Sequence, residues 1–251
     1  MSTVLLVEDH SGYAGLVCRE LGTAHGHETV LVSDPAAALR ELATRAYDVA
    51  VVDVLYEPLV RDFAARRTRG GLAGPLLASG LSVIRAAGAA PGRPRPVIWS
   101  SGEANRHLHL LFAFQEFGVR AYCSKGTGSV EPLHRAIVAA AAGGRYVDRL
   151  LDPYLPAAGA VPLRRTILRD QSRRAIWRAI ALGYHSRREL ATITGYSDRH
   201  IGNLVPTMVA EDLQLLDPGL RPGRSPLSEL VRFAAHHWEF LLDEAVRELY
   251  P

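Results

Sequence analysis

The sequence predicts a doubly wound α/β unit built on a five-stranded parallel sheet, followed by a smaller all-α unit. Three observations carry that expectation. Five short apolar runs alternate with helical segments between residues 3 and 142, and the runs are apolar throughout rather than at every second position. A stretch with three prolines, 146–165, then separates them from an arginine-rich, helix-patterned remainder. Strands without polar alternation are buried on both faces, as in parallel sheets covered by crossover helices. At 251 residues and 48% hydrophobic, the chain has apolar material for two ordinary cores.

The elements follow in order. Residues 3–7 (TVLLV) form the first strand, running into Glu8 and Asp9, and 11–24 carry helical apolar spacing at Tyr13, Leu16, Val17 and Leu21. A strand at 29–32 precedes a helix over 35–46, with Asp34 as its cap and Pro35 in its first turn. The third strand, 48–54, ends on acidic Asp53, and an irregular stretch over 56–78 leads to a helix near 79–89. Strand 97–100, helix 104–117, strand 119–123 and helix 129–142 complete the set. Parallel sheets place ligands beyond the carboxyl ends of their strands.

Composition narrows the field. No run approaches the roughly 20 apolar residues of a membrane span, and the start reads as lacking a secretory signal. Cys18 and Cys123 are too few for a disulfide framework or a zinc site, so a reduced, cytoplasmic setting is expected. The net charge of +3 is small but unevenly placed: nine arginines oppose three acids over 164–199, and four oppose eight from His200 onward. A basic block before an acidic tail suits a polyanion-binding patch, or a solvated arginine face. Of 29 cationic side chains, 28 are arginine and one is Lys125. Lysine is a compact charge on a thin stem, suited to a narrow site that a planar guanidinium does not enter.

The strand ends hold the chemistry: Glu8 and Asp9, Asp53, Ser100-Ser101 and Lys125. Three converging acids repel unless a hard cation sits among them, and magnesium prefers such oxygen ligands. With a lysine and a hydroxyl beside them, the set suits phosphoryl transfer onto Asp53. In VLLVEDH, VVDV, VIWSSGE and GVRAYCSKG, taken in order, residues 3–145 resemble the flavodoxin-like receiver domain of bacterial two-component response regulators. The resemblance implies that Glu8, Asp9, Asp53 and the Leu55 carbonyl hold Mg2+ and that Asp53 accepts the phosphoryl group. It further implies that Ser101 senses that group, Tyr122 turns inward and Lys125 pairs with Asp53. Tyr122 equally suits simple core packing, and Gly102 suits either close phosphate approach or an ordinary turn. The 56–78 stretch, with Arg61, Arg66, Arg67 and Arg69, is far longer than a usual receiver loop.

AIVAAAAGGRYVD resembles the close of receivers of the NarL/FixJ class, whose output is a LuxR-type helix-turn-helix. The residues beyond it support that motif. Gln171–Leu182 reads as a helix, Ser186 and Glu189 as a capping box, Gly195 as a turn, and Ser197 as the cap of a second helix over 198–205. Such a helix enters the major groove with Arg199, His200 and Asn203 outward, and Gly202 allowing close approach. Arg187, Arg188, Ser186 and Thr207 suit phosphate contacts, and Ser197 at the helix start is counted with the DNA-facing set. Pro206 is expected to end or kink that helix. Ser225-Pro226 opens one final helix to Leu249, whose apolar stripe suits a dimer seam or packing on its own unit.

The expectation is therefore a receiver over 1–145 with an insertion at 56–78, a linker over 146–165, and a helix-turn-helix unit over 166–251. Its role is a DNA-binding transcription regulator, not an enzyme, switched by phosphorylation from a sensor histidine kinase. A homodimer on a palindromic promoter is expected, RNA polymerase is a compatible partner, and the membrane is not. The rival readings are a phosphorylation-independent regulator and a receiver-gated module for protein or RNA. An aspartyl-phosphate hydrolase is disfavoured because Leu55 stands where a second acid is needed.

Overall fold

The computed structural model describes residues 1–66, 72–74, 76–157, 159–216 and 225–251. The chain forms two compact units: residues 1–61 with 78–156, and residues 62–77 with 157–251.

In the first unit β1 (Thr3–Val7), α1 (Ser11–His25), β2 (Glu28–Val32), α2 (Pro35–Thr44) and β3 (Val49–Val52) open the α/β alternation. After α3 (Glu57–Arg66) come α4 (Gly80–Ala89), β4 (Arg95–Ser100), α5 (His107–Glu116), β5 (Ala121–Ser124), α6 (Glu131–Ala141) and β6 (Tyr146–Val147). The sheet is parallel throughout, in the order β2-β1-β3-β4-β5-β6. It has six strands rather than five. The sixth is a two-residue edge strand paired with Ala121 and Tyr122, too short to leave a periodic signal, and it lies in the expected linker. The irregular stretch also holds a helix, α3, which the sequence reading did not place.

Side chains of alternate strand residues separate cleanly. Val4, Leu6, Val49, Val51, Val97, Trp99, Ala121 and Cys123 face one layer formed by Val17 and Leu21 of α1 and Leu133, Ile137 and Ala140 of α6. Leu5, Val7, Ala50, Val52, Ile98 and Tyr122 are buried on the other face, where α4 packs on β3 and β4 and also against α2. Burial on both faces is why the strands carry no polar alternation. Asp34 caps α2 by accepting the Ala37 N–H at 2.8 Å, with Pro35 behind it.

The second unit contains α7 (Gln171–Ala181), α8 (Arg187–Thr194), α9 (Asp198–Met208), a π-helical turn (Val209–Leu213), α10 (Gln214–Leu216), α11 (Pro226–Leu241) and α12 (Glu244–Leu249). α11 packs on α7 and α9, and Ala234, Leu241 and Ala245 of the apolar stripe are buried, while Leu249 at its end is 44% exposed. The expected single terminal helix is two. His237 leaves helical geometry, and Asp243 caps α12 by accepting the N–H groups of Ala245 and Val246. Residues 62–77 fold here as well. The Phe63 ring stacks on Trp238 with centroids 5.8 Å apart. Leu77 donates its N–H to the Leu242 carbonyl and accepts the Glu244 N–H, at 2.9 and 3.0 Å. Arg67 and Arg69 lie outside the described residues.

Candidate functional site

The parallel register sets the site. Val7, Val52 and Ile98 are partners across β1, β3 and β4, so the residues that follow emerge side by side. Asp53 donates its N–H to the Val7 carbonyl at 3.1 Å, and its side chain is 2% exposed. Oδ1 accepts the Val54 N–H at 2.6 Å and Arg106 Nη1 at 3.0 Å; Oδ2 accepts Lys125 Nζ at 2.6 Å. Lys125 Nζ also lies 2.5 Å from Glu8 Oε2 and 5.3 Å from the centre of the Trp99 ring. The one lysine therefore sits between two buried carboxylates and below an aromatic face, a slot that suits a point charge.

Glu8 is buried, which pushes its carboxyl above the usual range, with Lys125 pulling it down and Asp53 adding to the rise. Asp9 is partly exposed and accepts the Glu57 N–H at 2.7 Å, so it also caps the start of α3. Donor atoms of Glu8, Asp9 and His10 lie within 4.8 Å of one another. The two carboxylates of that set suit a hard, oxygen-liganded cation, since a dication stabilises a desolvated carboxylate; Asp53 is not one of the three, its oxygens being held by Arg106 and Lys125. Leu55 is buried two residues beyond Asp53.

The switch candidates stand differently. Ser101 is exposed and donates its hydroxyl to Glu103 Oε1 at 3.2 Å, not to Asp53. Tyr122 is fully buried and donates its hydroxyl to the Leu110 carbonyl at 3.3 Å. Burial places the Tyr122 phenol well above its ordinary range. Gly102 has φ +73°, so a turn requires it there. Arg106, which the sequence reading missed, is the second cation on Asp53. It stands at the entry to α5, and in a chain with 28 arginines its residue type gave no signal. Gly80, at the start of α4, is needed for approach: a Cβ there would lie 2.0 Å from the Asp53 carbonyl oxygen.

In the second unit the helix-turn-helix geometry forms. Ser186 and Glu189 make a reciprocal capping box, Gly195 takes φ +74°, and Ser197 accepts the His200 N–H. Leu190, Ile201, Val205 and Met208 are buried, while Arg199, His200 and Asn203 are exposed. Pro206 does not end the helix. α9 runs through it to Met208, and the π-helical turn follows at once. Thr207 is half-buried and donates its hydroxyl to the Asn203 carbonyl. Arg188 is exposed; Arg187 is committed to Asp198, with Nη2 2.7 Å from Oδ2 and 3.1 Å from the backbone oxygen. Gly202 makes room for that guanidinium, since a Cβ would lie 2.4 Å from Arg187 Nη2.

Much of the basic block is spent internally. Arg173 is buried against Asp170, Glu211 and Asp212, and Arg169 pairs with Glu211. Arg174 and Arg178 donate to the backbone carbonyls of Pro251 and Tyr250. Arg164, Arg165, Arg188 and Arg199 remain on the surface.

No protein family and no curated protein matches the chain by sequence. Solved structures do match in shape. RcsB of Salmonella enterica serovar Typhimurium, bound to promoter rprA in the presence of the phosphomimetic BeF3-, gives a TM-score of 0.55 at 14% identity over 94% of this chain and 99% of that one. RcsB dimers bound to two parallel DNAs give 0.55 at 14% identity, over 92% and 98%. An RcsB–DNA complex, described as a two-component response regulator, gives 0.53 at 14%, also over 92% and 98%. The chain has the fold of these response regulators. Among the described residues, no helix is long and apolar enough to cross a membrane.

Proposed function

We propose that the chain is a DNA-binding regulator of transcription switched by phosphorylation of Asp53. One observation carries this reading: a buried aspartate at the carboxyl edge of a parallel sheet, with the chain's one lysine on Oδ2 and a second buried acid beside that lysine. An Asp53 oxygen forms a bond to phosphorus as the donor's P–N or P–O bond breaks, and the electron pair leaves with the donor. That donor is the phosphohistidine of a sensor histidine kinase or a small phosphodonor. Phosphotransfer is driven by the donor and the regulator itself, so the chain is not classed as an enzyme. Glu8, Asp9, Asp53 and the Leu55 carbonyl would hold Mg2+, which supplies charge neutralisation for the incoming group.

Lys125 positions the acceptor and then holds a phosphoryl oxygen. Ser101 reaches that group by exchanging its hydrogen bond to Glu103 for one to a phosphoryl oxygen, while Tyr122 is already inward. The change shifts a pre-existing equilibrium toward a homodimer competent for a palindromic site. In the output unit Arg199, His200 and Asn203 read base edges, with Arg188 and Ser197 beside them on the backbone. RNA polymerase is the partner that such a regulator addresses from its promoter.

The test is labelling from a small phosphodonor with magnesium. The expected result is one acid-stable, base-labile acyl phosphate per chain, absent in Asp53→Asn and in Lys125→Gln severely slowed. Equal labelling of Asp53→Asn contradicts the assignment.

A further inference from the structure

The resting site is charge-matched in an unusual way. Two buried carboxylates, Glu8 and Asp53, meet two cations, Lys125 and Arg106, each with a side chain 14% exposed. The cations divide Asp53 between them, Lys125 on Oδ2 and Arg106 on Oδ1. Arg106 is set by a short 3-10 turn, Ala104–Arg106, whose last N–H donates to the Glu103 carbonyl at 2.9 Å. Its guanidinium also faces Glu103, with Nε 3.3 Å from Oε2, while the other Glu103 oxygen accepts the Ser101 hydroxyl. Asp53, Arg106, Glu103 and Ser101 thus form one continuous polar chain.

We propose that Arg106 is a phosphoryl-binding residue of this site, holding Asp53 Oδ1 at rest and the phosphoryl oxygens once Asp53 is modified. The proposal rests on the reading of Asp53 as acceptor and deepens it. A phosphoryl group adds three strong acceptor oxygens beside the oxygen that Arg106 already contacts, and a guanidinium fork matches such oxygens two at a time. Arg106 exchanges its ion pair with Glu103 for these oxygens, and the Ser101 hydroxyl exchanges Glu103 for the same, more highly charged acceptor. Ser101 and Arg106 then report the modification together.

This arrangement has a signature that a merely structural arginine lacks. Before phosphorylation, Arg106 and a divalent cation both neutralise Asp53, so they oppose each other. With the phosphoryl group present, the one negative charge of Asp53 becomes about two, spread over three new oxygens, so Arg106 and the cation find separate acceptors and both contribute. The experiment measures two affinities on the full chain by calorimetry: Mg2+ alone, and beryllofluoride at saturating Mg2+, the latter also by 19F NMR. Wild type, Arg106→Gln, Arg106→Lys and Asp53→Asn are compared.

Arg106→Gln is expected to bind Mg2+ several-fold more tightly and beryllofluoride about tenfold more weakly, the loss of one charge-assisted contact. Arg106→Lys is expected to fall between it and wild type for beryllofluoride. Unchanged beryllofluoride binding in Arg106→Gln, or a parallel loss of both ligands, overturns the proposal. Wild type that binds no beryllofluoride, or Asp53→Asn that binds it equally, overturns the acceptor reading itself and this proposal with it.

Discussion

Lys125 and Arg106 illustrate what residue identity does and does not reveal. A single lysine among 28 arginines marks itself in the sequence, and it stands on Asp53 and Glu8 as its chemistry suggests. Arg106 serves the same carboxylate, yet only the path of the turn before α5 discloses it. Glu103 joins the two levels, being exposed but in contact with both Ser101 and Arg106. Its replacement in Glu103→Ala frees both groups, so beryllofluoride binding is expected to tighten roughly two- to threefold, in keeping with an exposed ion pair. Weaker binding in calorimetry would show that Glu103 supports the site instead of restraining it. Two glycines make a further contrast. At Gly80 an added Cβ meets backbone, 2.0 Å from the Asp53 oxygen; at Gly202 it meets the flexible end of Arg187. Gly80→Ala is therefore expected to destabilise the first unit by roughly 1–3 kcal/mol. Gly202→Ala should stay within about 1 kcal/mol of wild type, because helix propensity offsets the displaced exposed pair. Thermal unfolding of the two variants checks the order, and equal losses would contradict it.

At the scale of elements, the strands and caps were legible because both obey short-range rules. Apolar runs gave β1, β3, β4 and β5, and the Ser186–Glu189 box and Gly195 gave the ends of α8. Elements set by tertiary context were not legible. β6 exists only through pairing with β5, and the break between α11 and α12 is fixed by Asp243 and the neighbouring Leu77 backbone. Pro206 shows propensity overridden, since the helix continues through it on buried Ile201, Val205 and Met208. One cluster links α1, the turn after it and α6, and predicts a pH response. His27, buried after α1, has Nε2 2.9 Å from Nδ1 of His134 on α6, and His25 stacks on His134 at 4.0 Å. Burial and the neighbouring imidazoles lower His27 from 6.5, and burial and His25 likewise lower His134, with Glu131 opposing. The unfolded chain thus takes up protons first. Stability of the first unit is full above pH 6.5 and falls as pH drops from there toward the folded-state values. His134→Gln removes one titrating ring and its hindrance of His27, so unfolding curves between about pH 5 and 6.5 should show a shallower pH slope. An unchanged slope would place the acid sensitivity elsewhere.

At the scale of the whole molecule, the stretch that looked like an overlong loop changes the domain arithmetic. Residues 62–77 fold with the helical unit, so the chain passes between the units at 61–62, 77–78 and 156–157 instead of through one linker. Sequence patterning could not show this, because Phe63 and Leu77 acquire their partners, Trp238 and the Leu242–Glu244 backbone, from the far end of the chain. Asp9 caps the start of α3 at Glu57, and Gly80 closes on the Asp53 backbone three residues after Leu77. The net positive block behaves similarly, with Arg169, Arg173 and Arg187 neutralised by acids of their own unit. On the proposed reading, Arg164, Arg165, Arg188 and Arg199 are the cations of this block, among the described residues, that neither an acid nor a backbone carbonyl of the unit holds, and they are the ones first expected to meet phosphates. The most direct test is selection of genomic DNA fragments by the purified protein, with and without beryllofluoride and magnesium. Enrichment of one inverted-repeat sequence is expected, stronger with beryllofluoride and unresponsive to it in Asp53→Ala. Enrichment indifferent to beryllofluoride in the wild type contradicts the switch, and no enrichment in either state contradicts DNA as the partner.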